Sequence, residues 1–154
     1  MPVEIERKFL VLNDSWKPHV TAVRHLRDGL VARFGGGKVR VRLETPKAWI
    51  TVKGAKDGIG GPEYEYEIPH ADAEEILHTL CEGPPIEKTR HLVPHDGLTW
   101  EIDVFEGVLA GIVFAEVELK HAATILNLPD WVGAEITGDP RYRKTELFRQ
   151  AAAG

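Results

Sequence analysis

Lys38-Val39-Arg40-Val41-Arg42-Leu43-Glu44 sets every charged side chain on one parity and every aliphatic side chain on the other. Alternate residues of a strand point to opposite faces, so the stretch predicts a strand with one ionic and one apolar face. It is bounded by turn signals, Gly35-Gly36-Gly37 before it and Thr45-Pro46 after it. Outward in both directions the two-residue period recurs. It predicts strands over 3–12, 23–34, 38–44, 48–53, 63–68, 88–93, 99–105 and 112–119. The loop 54–62 and His95-Asp96-Gly97 mark further hairpin connections. Helical spacing of Ile76, Leu77 and Leu80, with Glu74 and Glu75 near the start, predicts a helix over 71–81. A shorter helix over 121–126, closed by Pro129, and a C-terminal helix over 141–152 are expected as well. With no internal repeat or linker, residues 1–154 read as a single domain.

The charges form ladders. Glu4/Glu6, Glu63/Glu65 followed by Glu67, Glu101/Asp103 and Glu116/Glu118 each place carboxylates two residues apart. Arg40/Arg42 after Lys38, and Lys88/Arg90, do the same with cations, while Lys8 continues the first acidic ladder and Lys53 ends its own strand. A single ladder is ordinarily a solvated strand face. Here the intervening residues are Ile5, Val39, Val41, Val52, Tyr64, Tyr66, Ile102 and Val117, so the other face of nearly every strand is apolar and must be covered. A flat sheet this wide would leave edges open to pairing with other chains, and closure removes them. The fold expected is therefore α+β and mainly β: a closed eight-stranded antiparallel barrel with a few flanking helices and a charged interior. Burying so many ions dry would be very unfavourable, so that interior must be a wet, charge-paired tunnel.

Composition narrows the function. A formal net charge of −5 argues against general attraction to nucleic-acid backbone. The longest run without a polar side chain, 107–115, is far shorter than the roughly 20 apolar residues of a membrane span. The N-terminal MPVEIERKFL lacks the apolar core of a secretory signal, and Cys81 is the only cysteine; together they predict a cytoplasmic protein. Neither nucleic acid nor membrane is expected as a partner, and a homodimer is compatible with the sequence.

Cations converging on one cavity suit a polyanion, because Arg grips phosphate oxygens bidentately and Lys adds a compact charge. Carboxylates beside that anion would repel it unless a divalent cation intervenes. Phosphoryl transfer asks mainly for positioning and charge stabilisation, so such a lining suffices without a nucleophilic Ser or Cys. Other signatures fall away. Gly37-Lys38 lacks the hydroxyl residue and following helix of a phosphate loop. The histidines form no zinc-type cluster, and Cys81 reads as a structural thiol late in its helix. Trp16, Trp49, Trp100 and Trp131 are scattered as for core packing.

Glu4-Ile5-Glu6-Arg7-Lys8 resembles the N-terminal E-x-E-x-K signature of the CYTH, or triphosphate tunnel metalloenzyme, family. Val39-Arg40-Val41-Arg42, Thr51-Val52-Lys53, Glu63-Tyr64-Glu65, Glu87-Lys88-Thr89-Arg90, Glu101-Ile102-Asp103, Glu116-Val117-Glu118 and Asp139-Pro140-Arg141-Tyr142 follow in the family's order over nearly the whole chain. The resemblance implies metal ligation by Glu4, Glu6, Asp103, Glu116 and Glu118. It implies a triphosphate clamp of Lys8, Arg40, Arg42, Lys53, Lys88 and Arg90, and a catalytic set of Lys8, Lys53, Glu63, Glu65 and Lys88. The activity implied is Mg²⁺- or Mn²⁺-dependent hydrolysis of a small-molecule triphosphate, foremost inorganic tripolyphosphate to pyrophosphate and phosphate. Thiamine triphosphate hydrolysis, class IV-type adenylyl cyclisation and a non-catalytic polyphosphate- or nucleotide-binding module are the alternatives. Three positions depart from the pattern: Asp28-Gly29-Leu30 stands where short members often have Gln-Gly-Tyr, Gly61-Pro62 replaces an Arg before Glu63, and Lys144 replaces an Asn.

Overall fold

Alternation of apolar and charged residues becomes strand nearly everywhere it was expected in the computed structural model. The model describes residues 2–153, so the two end residues of the expected 1–154 domain lie outside the described residues. The strands are β1 (Val3–Val11), β2 (Ala22–Phe34), β3 (Gly37–Glu44), β4 (Lys47–Lys53), β5 (Gly60–Glu67), β6 (Glu82–His95), β7 (Leu98–Phe105), β8 (Val113–Glu118) and β9 (Val132–Glu135). The helices are α1 (His70–Thr79) and α2 (Lys144–Ala153), with short 3-10 turns at Lys17–His19, Gly107–Leu109 and Pro140–Tyr142. Hydrogen bonding orders the strands β5-β4-β3-β2-β6-β7-β8-β1-β9, and β5 pairs in addition with β1. Eight strands thus close into the antiparallel β-barrel expected from the sequence, with β9 outside the ring. No helix among the described residues is long and apolar enough to cross a membrane.

Four expectations are corrected. Residues 121–126 form no helix: Thr124 N–H donates to His121 O in a lone turn, and so short a segment before Pro129 cannot repay helix nucleation. The C-terminal helix starts at Lys144, because Pro140–Tyr142 forms a separate 3-10 turn capped by the Asp139 carboxylate. Strand β9 was not foreseen; four residues pairing with β1 carry too little period to be read. Cys81 lies beyond α1 and not within it, since that helix ends at Thr79.

The chain divides into two compact units, one comprising the described residues up to Glu4 with 25–87, the other 5–24 with the described residues from Lys88 onward. In the first, Val41, Leu43 and Ala48 pack against Ala73 and Leu77 of α1. The periodicity of β3 dictates this: its aliphatic parity meets the helix, so Lys38, Arg40 and Arg42 must occupy the opposite face. Gly29 admits the helix, since a Cβ there would collide with the side chains of Leu77 and Cys81. In the second unit, Phe9, Trp100 and Trp131 stack through tilted and edge contacts at 5.4 and 5.5 Å. Trp16, Val93, Ile102, Ala115, Val117, Leu119 and Val132 complete that core. Again the core takes one parity of each strand and leaves the ionic parity on the reverse face. At the β6–β7 hairpin, Asp96 and Gly97 both adopt positive φ (49° and 76°), the twist that a two-residue turn needs to match its strands.

Candidate active site

In the first unit, strand register builds the ionic face. Arg42 stands opposite Asp28 on β2 and Trp49 on β4; Arg40 stands opposite Thr51; Lys38 stands opposite Lys53. Across the next pair, Thr51 faces Glu65 and Lys53 faces Glu63. Lys53 Nζ lies 3.2 Å from Glu4 Oε1 and 3.5 Å from Glu63 Oε2. Thr51 Oγ1 donates to Glu65 Oε2 at 2.7 Å, and Arg40 Nη2 is 3.9 Å from the same oxygen. Arg42 is locked more firmly: Nε and Nη2 donate to the two Asp28 oxygens at 2.7 and 2.9 Å. Trp49 is half-buried on this ionic parity, which corrects its expected place in the core. Glu63 Oε2 is buried and accepts no hydrogen bond.

In the second unit, β1, β8, β7 and β6 lie side by side. Their registers set Glu6 opposite Glu118, Lys8 opposite Glu116, Glu101 opposite Glu116, and Arg90 opposite Asp103. Arg90 is surrounded by acid: Nε and Nη2 donate to Asp103 at 2.8 and 2.9 Å, Nη1 lies 2.7 Å from Glu101, and Glu116 is 3.9 Å away. Lys88 Nζ lies 2.8 Å from Asp103 Oδ2, the oxygen that also accepts from Arg90 Nη2. Burial alone would weaken the guanidinium's hold on its proton, but Asp103 and Glu101 raise the Arg90 pKa well above its usual range. Burial likewise pushes Asp103 upward, yet Lys88 and Arg90 win and hold it far below the carboxylate range. Glu116 follows the same logic: burial and Asp103 raise it, but Lys88, Lys8 and Arg90 bring it down to about 2. Glu101 moves the other way, raised first by burial.

An aromatic group closes one end of this face. Phe105, Phe114 and Tyr142 meet edge to face at 5.7 and 6.0 Å. Lys8 Nζ sits 4.3 Å from the Phe114 ring and Lys88 Nζ 5.6 Å from that of Phe105. Burial lowers the Lys8 pKa, with Lys88 adding to the shift and Glu116, Glu6 and Asp103 opposing it.

The structure thus gathers Glu4, Arg40, Arg42, Lys53, Glu63 and Glu65 on one face of the first unit. Glu6, Lys8, Lys88, Arg90, Asp103, Glu116 and Glu118 lie on one face of the second. Asp28 and Glu101 were not assigned to the site from the sequence. Glu101 was visible as a ladder partner of Asp103, whereas Asp28 stands alone in β2 with no ladder to mark it. Asp103, expected as a metal ligand, has both oxygens engaged by Lys88 and Arg90. Among the described residues no group of three carboxylate, His or Cys side chains is already drawn together as a metal cage. The donor set nonetheless fits a hard divalent cation. Glu6 and Glu118 are like charges directly opposite each other, an arrangement that costs stability until a cation intervenes, whereas Arg90 already stands between Glu101 and Glu116. Glu63 Oε2, which accepts no hydrogen bond although Lys53 Nζ lies 3.5 Å from it, is a further hard donor.

Antiparallel strands that turn apolar residues to a core and paired rows of Lys/Arg and Asp/Glu to the reverse face define a class of charged β-barrels suited to polyanions. The chain belongs to the CYTH domain family, whose model matches residues 2–146. It is 45% identical to an inorganic triphosphatase of Acetivibrio thermocellus, covering 97% of this chain and 95% of that protein. It is 34% identical to an inorganic triphosphatase of Nitrosomonas europaea, covering 94% and 95%. The crystal structure of the inorganic triphosphatase NE1496 superimposes with a TM-score of 0.64 at 32% identity, covering 94% of this chain and 96% of that one. Family membership carries with it a requirement for a divalent metal.

Proposed function

We propose that this protein hydrolyses inorganic tripolyphosphate to pyrophosphate and phosphate with Mg²⁺ or Mn²⁺, acting as one functional domain in the cytoplasm. The observation that carries the reading is the sorting of charge: every strand of the ionic faces contributes carboxylates, cations or both, and the reverse faces supply the apolar residues of the two cores. Buried ion pairs are a poor source of stability compared with apolar packing of the same volume, so this investment answers to a ligand. The triphosphatase relatives supply the ligand class.

In the first unit Arg40, Arg42 and Lys53, and in the second Lys8, Lys88 and Arg90, are the cations suited to bind phosphate oxygens and offset the charge that develops as the phosphoryl group transfers. The carboxylates that would hold the metal are Glu6, Glu116 and Glu118 in the second unit and Glu4 in the first, with Asp103 acting mainly through Lys88 and Arg90. The metal, when bound, supplies Lewis-acid neutralisation of the phosphate oxygens. Glu63 and Glu65 orient the attacking water. Its oxygen bonds to phosphorus, the phosphoanhydride bond to pyrophosphate breaks, and the water's proton passes to a carboxylate.

The test is product analysis with tripolyphosphate, thiamine triphosphate, ATP and pyrophosphate, each with Mg²⁺, Mn²⁺ or EDTA. Metal-dependent release of phosphate from tripolyphosphate, lost in Glu4→Ala, Glu6→Ala and Arg42→Ala, is the expected result. Cyclic AMP from ATP, or tight binding of tripolyphosphate without turnover, would replace the reading with a cyclase or a binding module.

A further inference from the structure

We infer that Asp28 is a positioning residue that fixes the guanidinium of Arg42 for the transition state of triphosphate hydrolysis, at the expense of ground-state affinity. The inference rests on the reaction proposed above. Asp28 is 3% exposed and Arg42 is 7% exposed. The two stand directly opposite each other across β2 and β3. Asp28 Oδ1 accepts from Arg42 Nε at 2.7 Å and Oδ2 accepts from Nη2 at 2.9 Å, a fork-to-fork pair that sets the plane of the guanidinium as well as its position. Next to Asp28, Gly29 lies close under the side chains of Leu77 and Cys81, which a Cβ at that position would meet.

A carboxylate on a face built for a polyanion weakens binding of that polyanion. What it gains is orientation. Interactions realised only when charge develops raise turnover, whereas uniform attraction lowers KM alone. Asp103 holds Arg90 through the same pair of guanidinium nitrogens in the other unit, so the device occurs twice.

The deciding experiment is steady-state tripolyphosphate hydrolysis by wild type, Asp28→Asn, Asp28→Glu, Arg42→Ala and the Asp28→Asn/Arg42→Ala double variant, with circular dichroism to confirm folding. Wild-type inactivity would overturn the functional reading itself, before the positioning claim is reached. Given wild-type activity, Asp28→Asn is expected to lower kcat at least about tenfold with KM unchanged or reduced, since it removes a negative charge. In the Arg42→Ala background the same change is expected to cost less than about twofold, because Asp28 acts through Arg42. Asp28→Glu keeps the charge but displaces the guanidinium, and a similar loss of kcat is expected; it serves if Asp28→Asn does not fold. A kcat within about twofold of wild type in a folded variant, or a rise in KM at constant kcat, overturns the proposal.

Discussion

Lys88 Nζ and Asp103 Oδ2 lie 2.8 Å apart with each side chain only 1% exposed, and the same carboxylate also takes Arg90 in a bidentate pair. One anion therefore compensates two buried cations. Replacing Asp103 with Ala takes away the carboxylate 2.8 Å from Lys88 and leaves Arg90 with Glu101 and Glu116, and breaking such a buried pair from one side typically costs about 3–5 kcal/mol. Urea unfolding in EDTA is expected to show a loss of that size for Asp103→Ala. A loss below about 1 kcal/mol would mean that water or Glu116 already satisfies the cations and that Asp103 is spare.

Acid should unfold the protein through these same carboxylates. Asp103 and Glu116 are both depressed in the folded state, Glu116 from 4.5 to about 2. A depressed carboxylate contributes stability that is complete above its unfolded pKa and is lost as pH falls through the folded one. Glu101, raised by burial, takes up its proton first and acts in the opposite sense. Stability is thus expected to hold down to pH about 4.5 and then to decline towards about 2. The urea midpoint measured in EDTA across that range should show the slope, and Glu116→Gln should flatten it. A midpoint that is level over the whole window would remove these groups from the account.

Gly37, at the head of β3, is a position where even one methyl group is excluded. A Cβ there would run into the backbone carbonyl of Lys53 and approach Phe34 within 2.9 Å. Backbone cannot rotate aside, so the β3–β4 pair must part at the end that holds Lys53. Gly37→Ala is expected to destabilise by about 1–3 kcal/mol, the range for forced overpacking. Tripolyphosphate affinity should fall with it, because Lys53 is displaced from Glu4 and Glu63. Calorimetric titration beside thermal melting distinguishes this from a purely local strain, which would shift the melt and leave affinity unchanged.

Much of this arrangement is legible in the sequence because the two-residue period assigns faces without any knowledge of partners. Lys38-Val39-Arg40-Val41-Arg42 fixes which side chains share a face whatever strand lies beside them. Partner choice is another matter. That Arg42 meets Asp28, or that Asp103 is held by Lys88 and Arg90, depends on the register between strands, and register is set by turns and cores that the ladder itself does not encode. The aromatic end of the second face was hidden for a different reason: Phe105 and Phe114 occupy the ionic parity but carry no charge to mark them as part of it. The 121–126 segment failed because a few residues of helical spacing cannot outweigh the cost of nucleation.

Lys8 provides the clearest test of that aromatic end. Its ammonium is buried, stands over Phe114 at 4.3 Å, and holds its proton less tightly than an ordinary lysine. A desolvated cation over a ring gains about 2 kcal/mol, so Phe114 offsets part of the burial that lowers the Lys8 pKa. Phe114→Leu keeps the volume nearly apolar and removes the ring's negative face, and should lower that pKa further. Binding of tripolyphosphate in EDTA, followed by calorimetry towards alkaline pH, is expected to weaken below the ordinary lysine value of 10.5 in the wild type. The fall should begin earlier in Phe114→Leu and later in Lys8→Arg, whose guanidinium stays charged. Identical alkaline limbs in all three proteins would show that Lys8 does not hold the anion, and that the titrating group lies elsewhere on the ionic faces.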